Sequence, residues 1–315
     1  LCLCAPHRRR ESHRGKFVGL FSQRAQVCFH NLEIAQESQV KAKQNLKHQN
    51  NDSYPSTQTL VIWAAFAIAL VVRWVAFYYF HFVYDTSDAR SYLPISGEAK
   101  TYEILARQLI LHKSFAPQLF SYRPPLQPIF IALSYILSGT TNPLIPIFAQ
   151  TFLSAAIAPL AYVIAKRLGA SERISRLAAV FAAMDPASIA ISLTLQAETL
   201  SNIFIALALL FFVLLVKSPG IRASIACSVC IALAALARPN ALYFAIVVAI
   251  LIVLIVPQWQ AKLGAFLVVF VVAVMPWYLR NYTYNNVFMF SSVGNFNLLF
   301  YKAVSVKHWA TGEKP

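Results

Sequence analysis

The sequence predicts an all-α, polytopic membrane protein with about seven transmembrane helices and a long first outer loop that carries interfacial helices. Three observations support this fold class. Hydrophobic residues make up 58% of the 315 residues and charged residues only 12%, about half the charged fraction of ordinary soluble domains. From Leu60 onward, apolar runs long enough to cross a hydrocarbon core recur along the chain. Basic residues are concentrated in alternate loops, a pattern that is typical of loops retained in the cytoplasm.

Seven apolar runs are the predicted membrane spans. They cover 60–82, 144–165, 177–193, 200–216, 221–237, 240–256 and 263–279. An eighth run, 124–137, has 14 residues with three prolines among its first five, and runs of that length are more often interfacial than spanning. If it does not cross, the basic loops near 166–176 and 217–222 both lie on the cytoplasmic side, as the positive-inside rule requires. We therefore predict that 124–137 lies at the outer membrane face.

Two terminal segments differ in composition from this transmembrane module, which extends over 60–280. Residues 1–59 are polar and lack a periodic apolar pattern, so they are predicted to form a disordered cytoplasmic leader. Residues 281–315 are predicted to begin an outer loop, in a chain that is truncated at its C-terminus. The predicted location is the plasma or inner membrane, with the N-terminus in the cytoplasm.

The net charge of +15 suggests nucleic-acid binding at first sight, because basic patches neutralise phosphates. However, nine of the 27 lysines and arginines precede residue 60, and most others flank apolar runs. This distribution indicates membrane topology, and we predict no nucleic-acid partner.

A CxxC pair, Cys227 and Cys230, lies inside an apolar run. A metal or redox site would be expected to show a second CxxC or a histidine pair nearby, and the sequence has neither. We interpret the two cysteines as small residues at a helix-packing face, and we predict no metal site.

Ionisable residues collect on the predicted outer face. They are Asp85, Asp88, Glu98, Glu103 and Arg123 in the first outer loop, Glu198 in the second, and Arg238 and Arg280 at the ends of spans five and seven. Such residues at membrane level are costly and are functional candidates by default. Acids with several arginines are typical of a site for a phosphate-bearing ligand. Two structural interpretations stay open: the two aspartates as a solvated loop or helix cap, and Glu198 as a capping acid stabilised by about 0.3–1 kcal/mol.

A series of motifs occurs in order along this side of the membrane. The first loop contains GEAKTYEILARQLILHKSFAP and then SYRPPLQPIF, in which an acid-xxx-Tyr-xxx-Ala pattern precedes a basic residue before Pro-Pro. LQAETL, LARPN, PWYLRN and SSVGNFNLLF follow. Together, over about 60–315, they resemble the C-type multi-spanning glycosyltransferases, and most closely the bacterial relatives of the protein O-mannosyltransferases and of the lipid A aminoarabinose transferase.

The resemblance implies a transferase that moves a sugar from a polyprenyl-phosphate-linked donor to an acceptor hydroxyl on the non-cytoplasmic side. The implied partners are the donor lipid, membrane lipid, and an acceptor protein, lipid or glycan. Within the motifs, Glu98 corresponds to the first-loop acid proposed as the base, Arg123 to the basic residue before Pro-Pro, and Glu198 to the second-loop acid. The family usually has aspartate where this chain has Glu98, whose side chain is one methylene longer.

The chemistry of such a transfer suits these residue types. A base must take the proton of the acceptor hydroxyl, and positioned bases contribute about 10²–10⁴-fold. Cations must stabilise the departing phosphate, and arginine binds phosphate through two parallel hydrogen bonds. We assign Glu98 as the base, Arg123 and Arg238 to the phosphate, and Glu198 to substrate positioning.

Three further residues are secondary candidates. Tyr102 falls one helical turn after Glu98 and is placed to orient it, although an aromatic side chain facing the core fits the pattern equally. Arg280 and Asn281 are candidates for substrate binding, although an arginine beside Trp277 also suits interfacial anchoring.

Two other functions stay open at this point. One is a catalytically inactive relative of the transferases, and the other is a membrane transporter or lipid flippase. A transporter would show charges near mid-membrane and internal repeats, and only Arg73 and Asp185 lie well inside apolar runs. The sequence leaves the sugar, the lipid length, the acceptor and any need for a divalent metal open.

Overall fold

The computed structural model describes residues 57–83, 98–113 and 123–296, together with residues 306 and 309. Over these residues the chain is helical and contains no β-strand. The elements are α1 (Thr57–Tyr78, continued by a π-helix, Tyr79–Val83), α2 (Glu98–His112), α3 (Leu126–Ser138), α4 (Leu144–Ala155), α5 (Ile157–Leu168), α6 (Glu172–Met184), α7 (Pro186–Ser192), α8 (Glu198–Lys217), α9 (Ile221–Ala237), α10 (Ala241–Ile255), α11 (Trp259–Asn285) and α12 (Val293–Phe296). The predicted all-α class is confirmed. The leader residues 1–56 and the loop residues Asp85 and Asp88 lie outside the described residues.

Four helical stretches in the described part of the chain are long and apolar enough to cross a membrane. They are Thr57–Val83, Leu144–Leu168, Glu198–Lys217 and Trp259–Tyr284. The bent pair Glu172–Met184 and Pro186–Ser192 passes the same test when its two helices are taken together as one span. The chain is therefore an integral membrane protein. The other two predicted spans coincide with the shorter apolar helices α9 and α10, of 17 and 15 residues, and their crossing of the membrane stays a prediction.

The bend between α6 and α7 has a local cause. The two helices meet at 44°, whereas the apolar run 177–193 reads as continuous in the sequence. Pro186 occupies the first turn of α7, where its missing N–H is tolerated, and it ends the preceding helix. The Asp185 carboxylate caps the new helix by accepting a hydrogen bond from the Ser188 N–H at 2.9 Å.

Arg73 lies on the neighbouring helix α1 and forms hydrogen bonds at this break. It is one of the two charges inside the apolar runs. Its side chain is fully buried, and it donates to the Ala183 carbonyl at 3.1 Å, to Ser154 Oγ at 2.7 Å and to Ser188 Oγ at 3.2 Å. Carbonyls at a helix C-terminus lack partners within their own helix. Arg73 therefore supplies the Ala183 carbonyl with a hydrogen-bond donor that lipid cannot provide. This structural role explains why a charged side chain is buried here.

Small residues allow the helices around α9 to pack closely. Ser224 and Ser228 donate to backbone carbonyls of α11 at 2.7 and 2.6 Å, and the Cys227 thiol donates to the Ala208 carbonyl of α8 at 3.4 Å. Such contacts are typical of membrane helix interfaces, where small side chains let the backbones approach. Cys227 and Cys230 are buried free thiols, as expected of packing residues. The close packing fixes α8, α9 and α11, whose ends carry several of the candidate site residues.

Candidate active site

Three helix ends carry charged candidate residues. Glu98 and Glu198 are the first residues of α2 and α8, and Arg238 directly follows the last residue of α9. Acids at helix N-termini and a cation at a C-terminus are each favoured by the helix dipole. Arg238 has an extended backbone, with φ −138° and ψ 129°, which is the conformation that the following Pro239 requires.

The first ion pair joins Arg123 to Glu98. The Nη2 of Arg123 lies 2.9 Å from the Oε1 of Glu98, and its Cζ lies 5.2 Å from the centroid of the Tyr102 ring. The Arg123 side chain is only 5% exposed, whereas that of Glu98 is 41% exposed. The guanidinium of Arg123 is therefore buried, and the carboxylate of Glu98 is the accessible partner of the pair.

The second ion pair, between Arg238 and Glu198, has the opposite exposure. The Nη1 of Arg238 lies 2.7 Å from the Oε1 of Glu198, with side-chain exposures of 34% and 17%, respectively. Here the guanidinium is the more accessible partner. One pair therefore presents a carboxylate and the other a cation.

Tyr102 connects the two pairs electrostatically. Burial raises the pKa of its phenol to about 12. The charges of Glu98 and Glu198 also raise this pKa, whereas those of Arg123 and Arg238 lower it. The phenol is therefore protonated at physiological pH, and it can orient a neighbour but does not serve as a base. Four of the predicted site residues, Glu98, Arg123, Glu198 and Arg238, therefore act on the buried ring of a fifth, Tyr102.

Arg280 and Asn281 belong to a second group near the end of α11. Asn281 is fully buried, accepts from Arg280 Nη1 at 2.9 Å, and donates to the Met289 and Phe290 carbonyls at 2.9 and 3.2 Å. The Trp277 indole N–H also donates to the Phe290 carbonyl, at 2.9 Å. Arg280 lies over the Trp277 ring with its Cζ 5.1 Å from the centroid. This group holds the loop that follows α11.

The loop borders a pocket of about 300 Å³ that adjoins the Arg238 segment. Its lining includes Pro239, Asn240, Phe290 and Ser291. Arg280 and Asn281 therefore shape the wall of this pocket through the loop, because Asn281 bonds to the backbone of Phe290.

Sequence reasoning did not identify two polar contacts beside the site. Arg107 binds Glu103 at 2.7 Å on α2, and the i,i+4 spacing of this pair was a readable signal. Gln127 donates to Gln150 at 2.7 Å, and Gln150 donates to the Thr194 carbonyl at 2.7 Å. This relay ties α3 and α4 to the segment before Glu198, and isolated glutamines in apolar runs give no sequence signal for it.

Among the residues that the structure describes, no group of three or more His, Cys, Asp or Glu side chains is placed to hold a metal ion.

Comparison with known families decides the class of the protein. The family model described as dolichyl-phosphate-mannose-protein mannosyltransferase matches residues 122–279, half of the chain. The chain belongs to this family. No curated protein and no solved structure matches it. The predicted resemblance is confirmed, and membership points to a membrane mannosyltransferase-like glycosyltransferase, which in general uses a sugar donor and an acceptor. Arg123, Glu198 and Arg238 lie within the matched range.

Proposed function

We propose that the protein transfers a sugar from a polyprenyl-phosphate-linked donor to an acceptor hydroxyl on the non-cytoplasmic face of the membrane. The observation that carries this proposal is the opposite exposure of the two neighbouring ion pairs. Glu98 presents a carboxylate, which suits proton removal, and Arg238 presents a guanidinium, which suits a phosphate.

Glu98 takes the role of general base. The acceptor oxygen forms a bond to the anomeric carbon of the sugar while its proton passes to the carboxylate. The bond between that carbon and the phosphate oxygen breaks, and the lipid phosphate leaves with the electron pair. The adjacent Arg123 orients Glu98 through their 2.9 Å contact.

The arginines take the role of phosphate ligands. A guanidinium has five N–H donors, so Arg238 can keep its 2.7 Å contact with Glu198 and still reach a phosphate from its exposed side. Glu198 positions Arg238, and the protonated Tyr102 supports Arg123 through the face of its ring. Arg280 and Asn281 contribute by holding the loop beside the Arg238 pocket.

The outer-face location follows from charge. Lys166, Arg173 and Arg176 surround the connection between α5 and α6, and such basic connections stay in the cytoplasm. The ends of α9 and α8 that carry Arg238 and Glu198 then face the opposite side of the membrane.

The direct test is sugar transfer by the purified full chain in liposomes. Labelled mannose would be supplied either on a polyprenyl phosphate or on a nucleotide, with a panel of peptide, lipid and glycan acceptors. We expect transfer from the lipid-linked donor only. Glu172→Gln is a matched control, because Glu172 is also a carboxylate that pairs with arginine, at 2.9 Å from Arg176, and it should leave transfer unchanged. Transfer from the nucleotide donor, or movement of the lipid across the membrane without transfer, would contradict the proposal.

A further inference from the structure

An apolar groove lies between α1 and α6, and none of its lining residues belongs to the candidate active site. It has a volume of about 520 Å³ and is lined by apolar side chains, with Thr57 and Arg176 as the polar exceptions. Alanines on both walls, including Ala64 and Ala179, leave the space open, because their side chains are too short to fill it.

The two helices close the groove at one end. Ala69 and Ala183 belong to one buried alanine cluster, and Arg73 donates to the Ala183 carbonyl at 3.1 Å. The groove extends from this contact toward the start of α1, where Thr57 lies. The distance from Thr57 to Ile68, which also lines the groove, is about 16 Å along a helix. This length is close to one leaflet of the roughly 30 Å hydrocarbon core.

The polar end of the groove is basic. Arg176 lines it, and Lys166 and Arg176 share one acid, Glu172, at 3.2 and 2.9 Å. Arg173 is exposed on the same turn of α6 as Glu172. Positive charge therefore exceeds negative charge where the groove meets the membrane surface, and this complements an anionic headgroup.

We infer that the groove binds one anionic phospholipid, with an acyl chain between α1 and α6 and its phosphate at Arg176. The small alanine side chains admit a chain of methylene groups, and the basic end selects the headgroup. This lipid site is distinct from the proposed donor site, and the proposed transfer reaction is not needed for it.

Native mass spectrometry of the full chain in detergent would test this site. The protein would be titrated with phosphatidylglycerol or phosphatidylcholine of identical acyl chains, and the dissociation constants compared. We expect one phosphatidylglycerol to bind at least about five-fold more tightly, the contribution of one basic residue facing an anionic lipid. Millimolar inorganic phosphate should not displace it, which distinguishes a lipid from a free anion.

Two pairs of variants separate headgroup from chain. Arg176→Gln should abolish the preference for phosphatidylglycerol, whereas Arg173→Gln, at an exposed arginine that does not line the groove, should retain it. Ala64→Phe fills the groove and should weaken both lipids, whereas Ala67→Phe, at an exposed alanine one turn away, should weaken neither. Equal affinity of the parent for both lipids, equal effects within either pair of variants, or displacement by phosphate alone would overturn the inference.

Discussion

Arg123→Lys keeps a positive charge near Glu98 but removes the planar guanidinium. In the structure, that group is 5% exposed, binds Glu98 at 2.9 Å and lies 5.2 Å from the centroid of Tyr102. Lysine offers a point charge in place of a fork of donors, so it cannot hold the carboxylate and a phosphate in a fixed geometry.

The expected loss follows from the contacts that disappear. A hydrogen bond to a charged group contributes about 1.5–3 kcal/mol, which corresponds to a roughly 10- to 150-fold decrease in kcat/KM. The assay is initial-rate transfer of labelled sugar from the polyprenyl-phosphate donor, with donor binding measured in parallel.

Arg107→Lys is the matched control. Arg107 also pairs with an acid of α2, at 2.7 Å, but its side chain is 41% exposed. Exposed pairs contribute about 0–1 kcal/mol, so this variant should lose less than about five-fold. If Arg123→Lys binds donor and transfers sugar as well as the parent does, Arg123 is only an interfacial anchor and the phosphate assignment is wrong.

The remaining predictions address the second pair, the topology and the buried phenol. Glu198→Gln should raise KM for the donor more than it lowers kcat, because its proposed role is to position Arg238; a selective fall in kcat would contradict that role. A cysteine introduced at Thr141 should react with an impermeant thiol reagent applied outside, and one introduced at Ser171 should not; the reverse pattern would overturn the topology. Because burial raises the pKa of Tyr102 to about 12, its contribution to the free energy of unfolding should be fully present below about pH 10 and lost as the pH rises through 12. Tyr102→Phe should therefore lose less thermal stability over that pH interval than the parent, and identical losses would show that Tyr102 does not titrate there.

The sequence predicted the helices better than the contacts among the candidate site residues. Hydropathy identified the helices because a span requires a long apolar run. It did not reveal the 44° bend, since an average over the run hides the effect of a single Asp-Pro step. Prolines next to Arg123 and Arg238 were readable as marks of segment ends.

The contacts between distant segments had no local signal. Arg123 meets Glu98 and Arg238 meets Glu198 only because α2, α3, α8 and α9 place their ends together. We assign Glu98 as the base and Arg238 as a phosphate ligand from the different exposure of the two pairs. That exposure depends on how deeply each side chain is buried. That depth is set by tertiary packing, as is the Gln127–Gln150 relay.

Comparing Glu98→Gln with the parent tests the central claim most directly. The amide keeps the size of the side chain but cannot accept a proton, so turnover should fall at least about 100-fold, while donor binding is nearly retained. Glu98→Asp retains a carboxylate and should remain active. For the parent and both variants, the rate would be measured as transfer of labelled sugar from a polyprenyl-phosphate donor in liposomes. Donor binding would be measured in parallel for each protein. A large loss of turnover with retained binding agrees with a base at Glu98, and full transfer by Glu98→Gln would contradict it.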